Sequence, residues 1–192
     1  MTKCVILGTG PSLKEQKNRI LDLKEAGDVV LFGVNNTFND FPLDFWIACD
    51  PKWHEHYGQV RGSFEKWHWD EHICKRYGYN YIEGRWGEGL SLDPNYIRYG
   101  HCSGYQALNI ALHKGFKEIY LAGHDFEDLT QNRHYFSGLS DVAGEYPKAI
   151  RKYSSFKGLL KTYSYIEKQD LPCKIYNINR NSALKTFEFK DL

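Results

Sequence analysis

The chain has 192 residues, 42% apolar and 26% charged, with a formal net charge of +1 and five cysteines. That length suits one domain, with or without an insert, and the sequence contains no run of 18 apolar residues that would form a transmembrane helix. The odd cysteine count without a C-x-x-C pair argues for reduced thiols rather than a disulfide or zinc framework, and the near-zero charge gives no general drive towards nucleic acid or membrane.

Cys4 to Leu7 reads as a buried parallel strand, a short apolar run without alternation that ends in glycine. It is too short for a signal-peptide core, so the expected location is the cytoplasm. Gly8 to Pro11 is a turn. Ser12 and Glu15 have capping-box spacing and open a helix to about Ala26, closed by Gly27, with Leu13, Ile20, Leu23 and Ala26 on one face. Val29 to Val34 and Phe45 to Cys49 read as strands ending in polar clusters, Asn35-Asn36-Thr37 and Asp50-Pro51. Residues 52–100 hold four of the five tryptophans and read as an irregular, aromatic-rich insert with one strand near His72 to Tyr77. Regularity returns with a helix from Ser103 to Lys114 and a strand from Glu118 to Ala122. A long polar loop (123–144), of a length usually reserved for function, a helix (146–169) and a last strand (173–178) follow. This alternation predicts an α/β fold: a doubly wound, mostly parallel, Rossmann-like sheet with helices on both faces. The expected organisation is one nucleotide-binding domain over 1–192, with the insert at about 52–100.

Ligands of such sheets sit at the carboxyl ends of the strands, where the polar clusters fall. Gly8 and Gly10 allow close backbone approach, and a helix opening near Ser12 aims N–H groups and its positive dipole end at the same point, so phosphate or nucleotide is the expected occupant. An ordinary tight turn is the alternative. G-T-G-P-S-L lacks the third glycine of the dinucleotide fingerprint, and the second strand ends in asparagines rather than a ribose-binding acid, which argues against a dehydrogenase. No G-K-[ST] follows, so it is not a P-loop. Asn35 and Asn36 suit a base edge or ribose, or cap the strand end. If the strands before Asp50 and Asp125 both flank the first, these two carboxylates share one crevice, holding Mg²⁺ or ribose hydroxyls; helix capping is the alternative. His124, Arg133, His134 and Tyr135 are candidate acid, base and phosphate-neutralising groups. His68-Trp69-Asp70-Glu71-His72 matches an inverted zinc-protease pattern, but no well-placed third ligand follows it.

The ordered set Gly8-Thr9-Gly10-Pro11-Ser12-Leu13, Val34-Asn35, Cys49-Asp50-Pro51, Ser103-Gly104 and Glu118 to Phe126 resembles the bacterial lipooligosaccharide sialyltransferases. It is also similar to the Rossmann-type family of the archaeal 6-hydroxymethyl-dihydropterin pyrophosphokinases. The sialyltransferase resemblance implies that Thr9, Gly10, Ser12, Asn35, Ser103, Gly123 and Asp125 contact a cytidine nucleotide and that Tyr135 serves the donor phosphate. It also implies that Asn177 to Leu184 forms a closing strand and turn. Three positions depart from that pattern: Asp50 stands for an asparagine, Gly100 for an arginine, and no histidine occurs over 151–154. Gly104 is expected beside the nucleotide, and His134 and His124 are the nearest remaining acceptor bases.

Three functions follow. The first is a glycosyltransferase with a cytidine-nucleotide sugar donor, requiring no cofactor and acting on an unknown acceptor. The second is a pyrophosphokinase in which Asp50 and Asp125 hold Mg²⁺ and a pterin-like alcohol is the acceptor. The third is a module that binds a nucleotide without transfer. The aromatic stretch from Trp46 to Trp86 suits a stacked ring, a packed core or a homo-oligomer interface.

Overall fold

The computed structural model describes residues 3–126 and 156–192. Eight strands form one sheet in the order β10-β9-β8-β1-β2-β3-β4-β5, and every neighbouring pair is parallel. The central strands are β1 (Lys3–Leu7), β2 (Val29–Val34), β3 (Phe45–Ile47) and β8 (Glu118–Ala122). The flanks are β4 (Glu65–His68), β5 (Asn80–Tyr81), β9 (Lys174–Asn177) and β10 (Glu188–Phe189). The fold is the doubly wound α/β arrangement that the strand–helix alternation predicts.

Both faces of β1 are covered, which explains its unbroken apolar run. Cys4 and Ile6 enter the core beneath α4 (Ser103–His113) and α5 (Phe156–Ser164), while Val5 and Leu7 enter the opposite core beneath α1 (Leu13–Glu25). α2 (Pro51–Tyr57) and α3 (Glu71–Tyr77) extend that second layer through Trp53 and Cys74. A separate parallel pair, β6 (Glu83–Arg85) and β7 (Tyr96–Arg98), lies outside the main sheet.

Several expectations change. Residues 52–100 are not an irregular insert; they continue the winding after β3 as α2-β4-α3-β5 before the small β6–β7 pair. The segment read as a strand, His72 to Tyr77, is helical because Asp70 caps it, accepting from the His72 and Ile73 amides at 2.8 and 3.2 Å. The Ser12–Glu15 capping box does not form: the Ser12 side chain makes no capping bond and its hydroxyl is buried without a partner. The late helix is α5 followed by a 3₁₀ turn over Ile166–Lys168, and residues 146–155 lie outside the described residues.

Candidate functional site

Strand order changes direction at β1. The chain runs from β1 to β2 on one side, and later returns through β8 to the other side. Such a switch point leaves a crevice at the carboxyl ends of the two diverging strands. A cavity of ≈ 210 Å³ lies there, walled by Gly8–Pro11 after β1, Val34–Asn35 after β2, Cys102–Gly104 at the start of α4 and Gly123–Phe126 after β8. Phe156, Leu159 and Tyr163 of α5 close the apolar side.

The first turn is built around the protein's own carboxylate. Asp125 Oδ2 accepts from the Ser12 amide at 3.0 Å, and Oδ1 accepts from Asn179 Nδ2. Asp125 therefore caps α1, occupying the position expected for a ligand phosphate. The glycines serve the same contact: a Cβ on Gly10 would lie 2.0 Å from Asp125 Oδ2, and one on Gly8 would lie 2.5 Å from the Gly123 carbonyl oxygen. Their missing side chains let the β1 and β8 turns pack together, which is the ordinary tight-turn role. The Gly10 amide donates to the Gly123 carbonyl at 2.8 Å, and Gly123 itself needs its φ of +64°. Ser12 does not line the cavity.

A second helix end faces the cleft instead. The N-cap of α4 is Cys102, whose side chain makes no capping hydrogen bond, and Cys102, Ser103 and Gly104 all line the cavity. Burial pushes the Cys102 thiol up, against opposing contributions from the Tyr105 and Gly104 amides and the Tyr163 hydroxyl. The thiol therefore stays neutral and supplies no counter-charge at the positive end of the 11-residue helix. Ser103 Oγ accepts from the Cys49 amide at 2.9 Å and donates to Asn35 Oδ1 at 3.1 Å. Asn35 therefore holds its oxygen inward and keeps its Nδ2 donor for the cleft.

His124 is 4% exposed. Its Nδ1 bonds the Ala122 carbonyl at 2.9 Å, which fixes the proton there, and Nε2 is buried without a partner. Burial pushes its pKa down to about 4. A ring so reluctant to take a proton is a poor acceptor base near neutral pH, and its buried Nε2 packs against Gly104, where an added Cβ would lie 2.7 Å away.

The remaining expectations separate clearly. Asp50 does not reach the cleft: it caps α2, accepting from the Lys52 amide at 2.9 Å. β3 and β8 are three strand spacings apart, about 14 Å. Asp50 and Asp125 are thus not brought together as a Mg²⁺ pair, and no cluster of three metal-ligating side chains exists among the described residues. Asn36 accepts from the Trp53 indole at 2.9 Å and does not line the cavity. His68 ends β4 while His72 lies in α3, so the zinc-like pattern shares no helical face. Arg133, His134 and Tyr135 lie outside the described residues.

The resemblance implies a closing strand and turn over Asn177 to Leu184, but not the contacts that this turn makes behind Asp125. Ser182 Oγ donates to the His124 carbonyl at 2.6 Å, and the Ala183 amide donates to the Asp125 carbonyl at 2.8 Å. The Asn177 to Leu184 turn thus clamps the Gly123-His124-Asp125 segment. Cys102, Tyr163 and the α5 wall carried no polar signal. The three described non-glycine residues with positive φ, Asn35, His101 and Phe126, all lie at the cleft or next to its wall, where backbone strain commonly collects.

No protein-family model matches the chain, and no curated protein matches it significantly. Among solved structures it is similar to the MAf glycosyltransferase of Magnetospirillum magneticum AMB-1, with a TM-score of 0.62 at 14% identity, over 98% of this chain and 33% of that one. It is also similar to two variants of the sialyltransferase CstII in complex with CMP, with TM-scores of 0.53 and 0.50 at 19% and 16% identity. Both likenesses cover 98% of this chain and 86% of the sialyltransferase. The chain spans about a third of the MAf glycosyltransferase. At these identities the likeness is one of fold: the Rossmann-like scaffold of this chain is shared with glycosyltransferases.

Proposed function

We propose that the protein is a glycosyltransferase that takes a cytidine-nucleotide sugar as donor and binds it in the β1/β8 cleft. The observation that carries this reading is the coincidence of the cleft with the switch point. One crevice there collects the Asn35 carboxamide, the α4 N-terminus and the Gly8–Pro11 and Gly123–Phe126 turns. The α4 end suits the phosphate, while the Asn35 carboxamide supplies hydrogen bonding for base or ribose. The CMP complexes of the similarly folded CstII support a cytidine nucleotide as the occupant. Transfer requires stabilisation of the departing nucleotide phosphate, which the helix end supplies electrostatically. His134 and Tyr135 are the proposed acceptor base and phosphate partner, Thr9 and Gly10 contribute backbone at the cleft floor, and Asp125 sets the cleft shape. No metal step is needed.

A second reading, nucleotide capture without transfer, is favoured by one observation: the only histidine lining the cleft among the described residues is held neutral by burial. Incubation with a cytidine-nucleotide sugar, followed by mass spectrometry of the recovered ligand, separates the two. Transfer or slow donor hydrolysis predicts free CMP, and recovery of intact donor after long incubation supports capture.

A further inference from the structure

A run of aromatic rings leaves the cleft wall and ends in solvent. Ser103 Oγ holds the Cys49 amide at 2.9 Å, and the Cys49 carbonyl accepts from the Trp69 indole at 2.9 Å. Trp69 meets Tyr99 edge-on at 5.1 Å, Tyr99 meets Trp86 at 4.9 Å, and Trp86 meets His101 at 5.3 Å. His101 immediately precedes Cys102, so the run returns to the cleft.

Trp86 is 70% exposed, yet it is held from two sides. Arg98 donates through its guanidinium to the Trp86 carbonyl, and the Tyr99 amide donates to the Arg85 carbonyl at 3.2 Å, pinning the segment to the β6–β7 pair. A large ring presented on a fixed frame is ready to stack, with little ordering left to do on binding. Its surroundings are polar. The Glu83 carboxylate and Arg85 guanidinium form a bidentate pair, and Glu83 and Asp70 help burial and Tyr81 to keep the Tyr99 hydroxyl protonated. An aromatic face beside carboxylate and guanidinium groups matches a pyranose ring, whose C–H face stacks while its hydroxyls bond the rim. The rim is mixed in charge, with Glu83 already paired to Arg85, and the chain carries only +1, so no basic stripe for a polyanionic nucleic acid is present among the described residues here.

We infer that the Trp86 platform, with Tyr99 and His101, is a saccharide-binding acceptor subsite beside the donor cleft. Its role in transfer rests on the glycosyltransferase reading, whereas saccharide binding itself does not. The test titrates lactose, maltotriose and chitotriose separately into the full chain by calorimetry and tryptophan fluorescence, for wild type, Trp86→Ala and Trp86→Phe. CMP is titrated in parallel, and sedimentation reports the oligomeric state. The expected result is binding of at least one saccharide, weakened at least about tenfold by Trp86→Ala and largely kept by Trp86→Phe, with CMP affinity within about twofold of wild type. Absence of saccharide binding, or equal binding by Trp86→Ala, overturns the subsite. Conversion of a wild-type dimer to monomer by Trp86→Ala also overturns it, making the platform a contact between copies. Saccharide binding without any CMP binding leaves the subsite standing and removes the donor reading instead.

Discussion

Asp125 shows how one residue can satisfy a sequence motif while its side chain faces inward. The Gly123-His124-Asp125 run marked the site from the sequence alone, but the contacts that assign its roles come from Ser12 and Asn179, far away in the chain. Spacing cannot reveal such partners. Replacing Asp125 with alanine leaves the Ser12 amide and Asn179 without their acceptor, a loss of about 1–3 kcal/mol in unfolding free energy. Ser12→Ala removes a hydroxyl that makes no capping bond and is buried without a partner, so it costs no stability and is neutral or stabilising. Urea midpoints of the two variants check this ordering. A larger loss in Ser12→Ala than in Asp125→Ala would restore the capping box that the sequence suggests.

At the scale of elements, β1, β2 and β8 were legible because burial on both faces makes their apolar runs continuous. The stretch after Asp50 was not, because β4 and β5 are short and carry polar and aromatic residues. A local signal was nevertheless present: Asp50 and Asp70 each follow a strand and cap a seven-residue helix. Asp50→Ala is accordingly a capping variant, expected to cost about 1 kcal/mol while leaving nucleotide affinity unchanged with or without Mg²⁺. A loss of Mg²⁺-dependent ATP binding in this variant would instead support the pyrophosphokinase reading.

The same elements bury three histidines as neutral rings. Burial pushes His68 and His124 down to about 4 and also lowers His54, whose ring lies 5.0 Å from that of His68. Their folded-state pKa values lie below the unfolded value near 6.5, so the unfolded chain binds protons first as pH falls. Stability is therefore fully present above about pH 6.5 and is lost on acidification towards pH 4, at up to about 1.4 kcal/mol per pH unit for each fully neutral ring. Denaturation midpoints at neutral and mildly acidic pH measure this directly, and a flat profile across that window would contradict the burial of these rings.

Across the whole molecule, the strand order positions the site. Reversal at β1 opens the crevice, α4 points its N-terminal end into it, and the Asn177 to Leu184 turn fixes the β8 loop behind it. The doubly wound class could be read from alternation alone, but the assignment of helix ends could not. The sequence favoured α1 as the phosphate helix, whereas the fold fills that end with Asp125 and leaves α4 facing the cleft. Sheet order and long-range packing decide between two such helices.

Calorimetric titration of CMP with metal chelated, into wild type and Asn35→Gly, addresses the cleft itself. Glycine tolerates the φ of +48° at position 35 and removes only the carboxamide. The expected outcome is one CMP bound per chain without metal, with affinity falling about tenfold or more in Asn35→Gly, as for the loss of a hydrogen-bonding side chain in a buried site. Wild-type protein that ignores CMP, or a variant that binds it equally well, would contradict a cytidine-nucleotide site at the β1/β8 switch point.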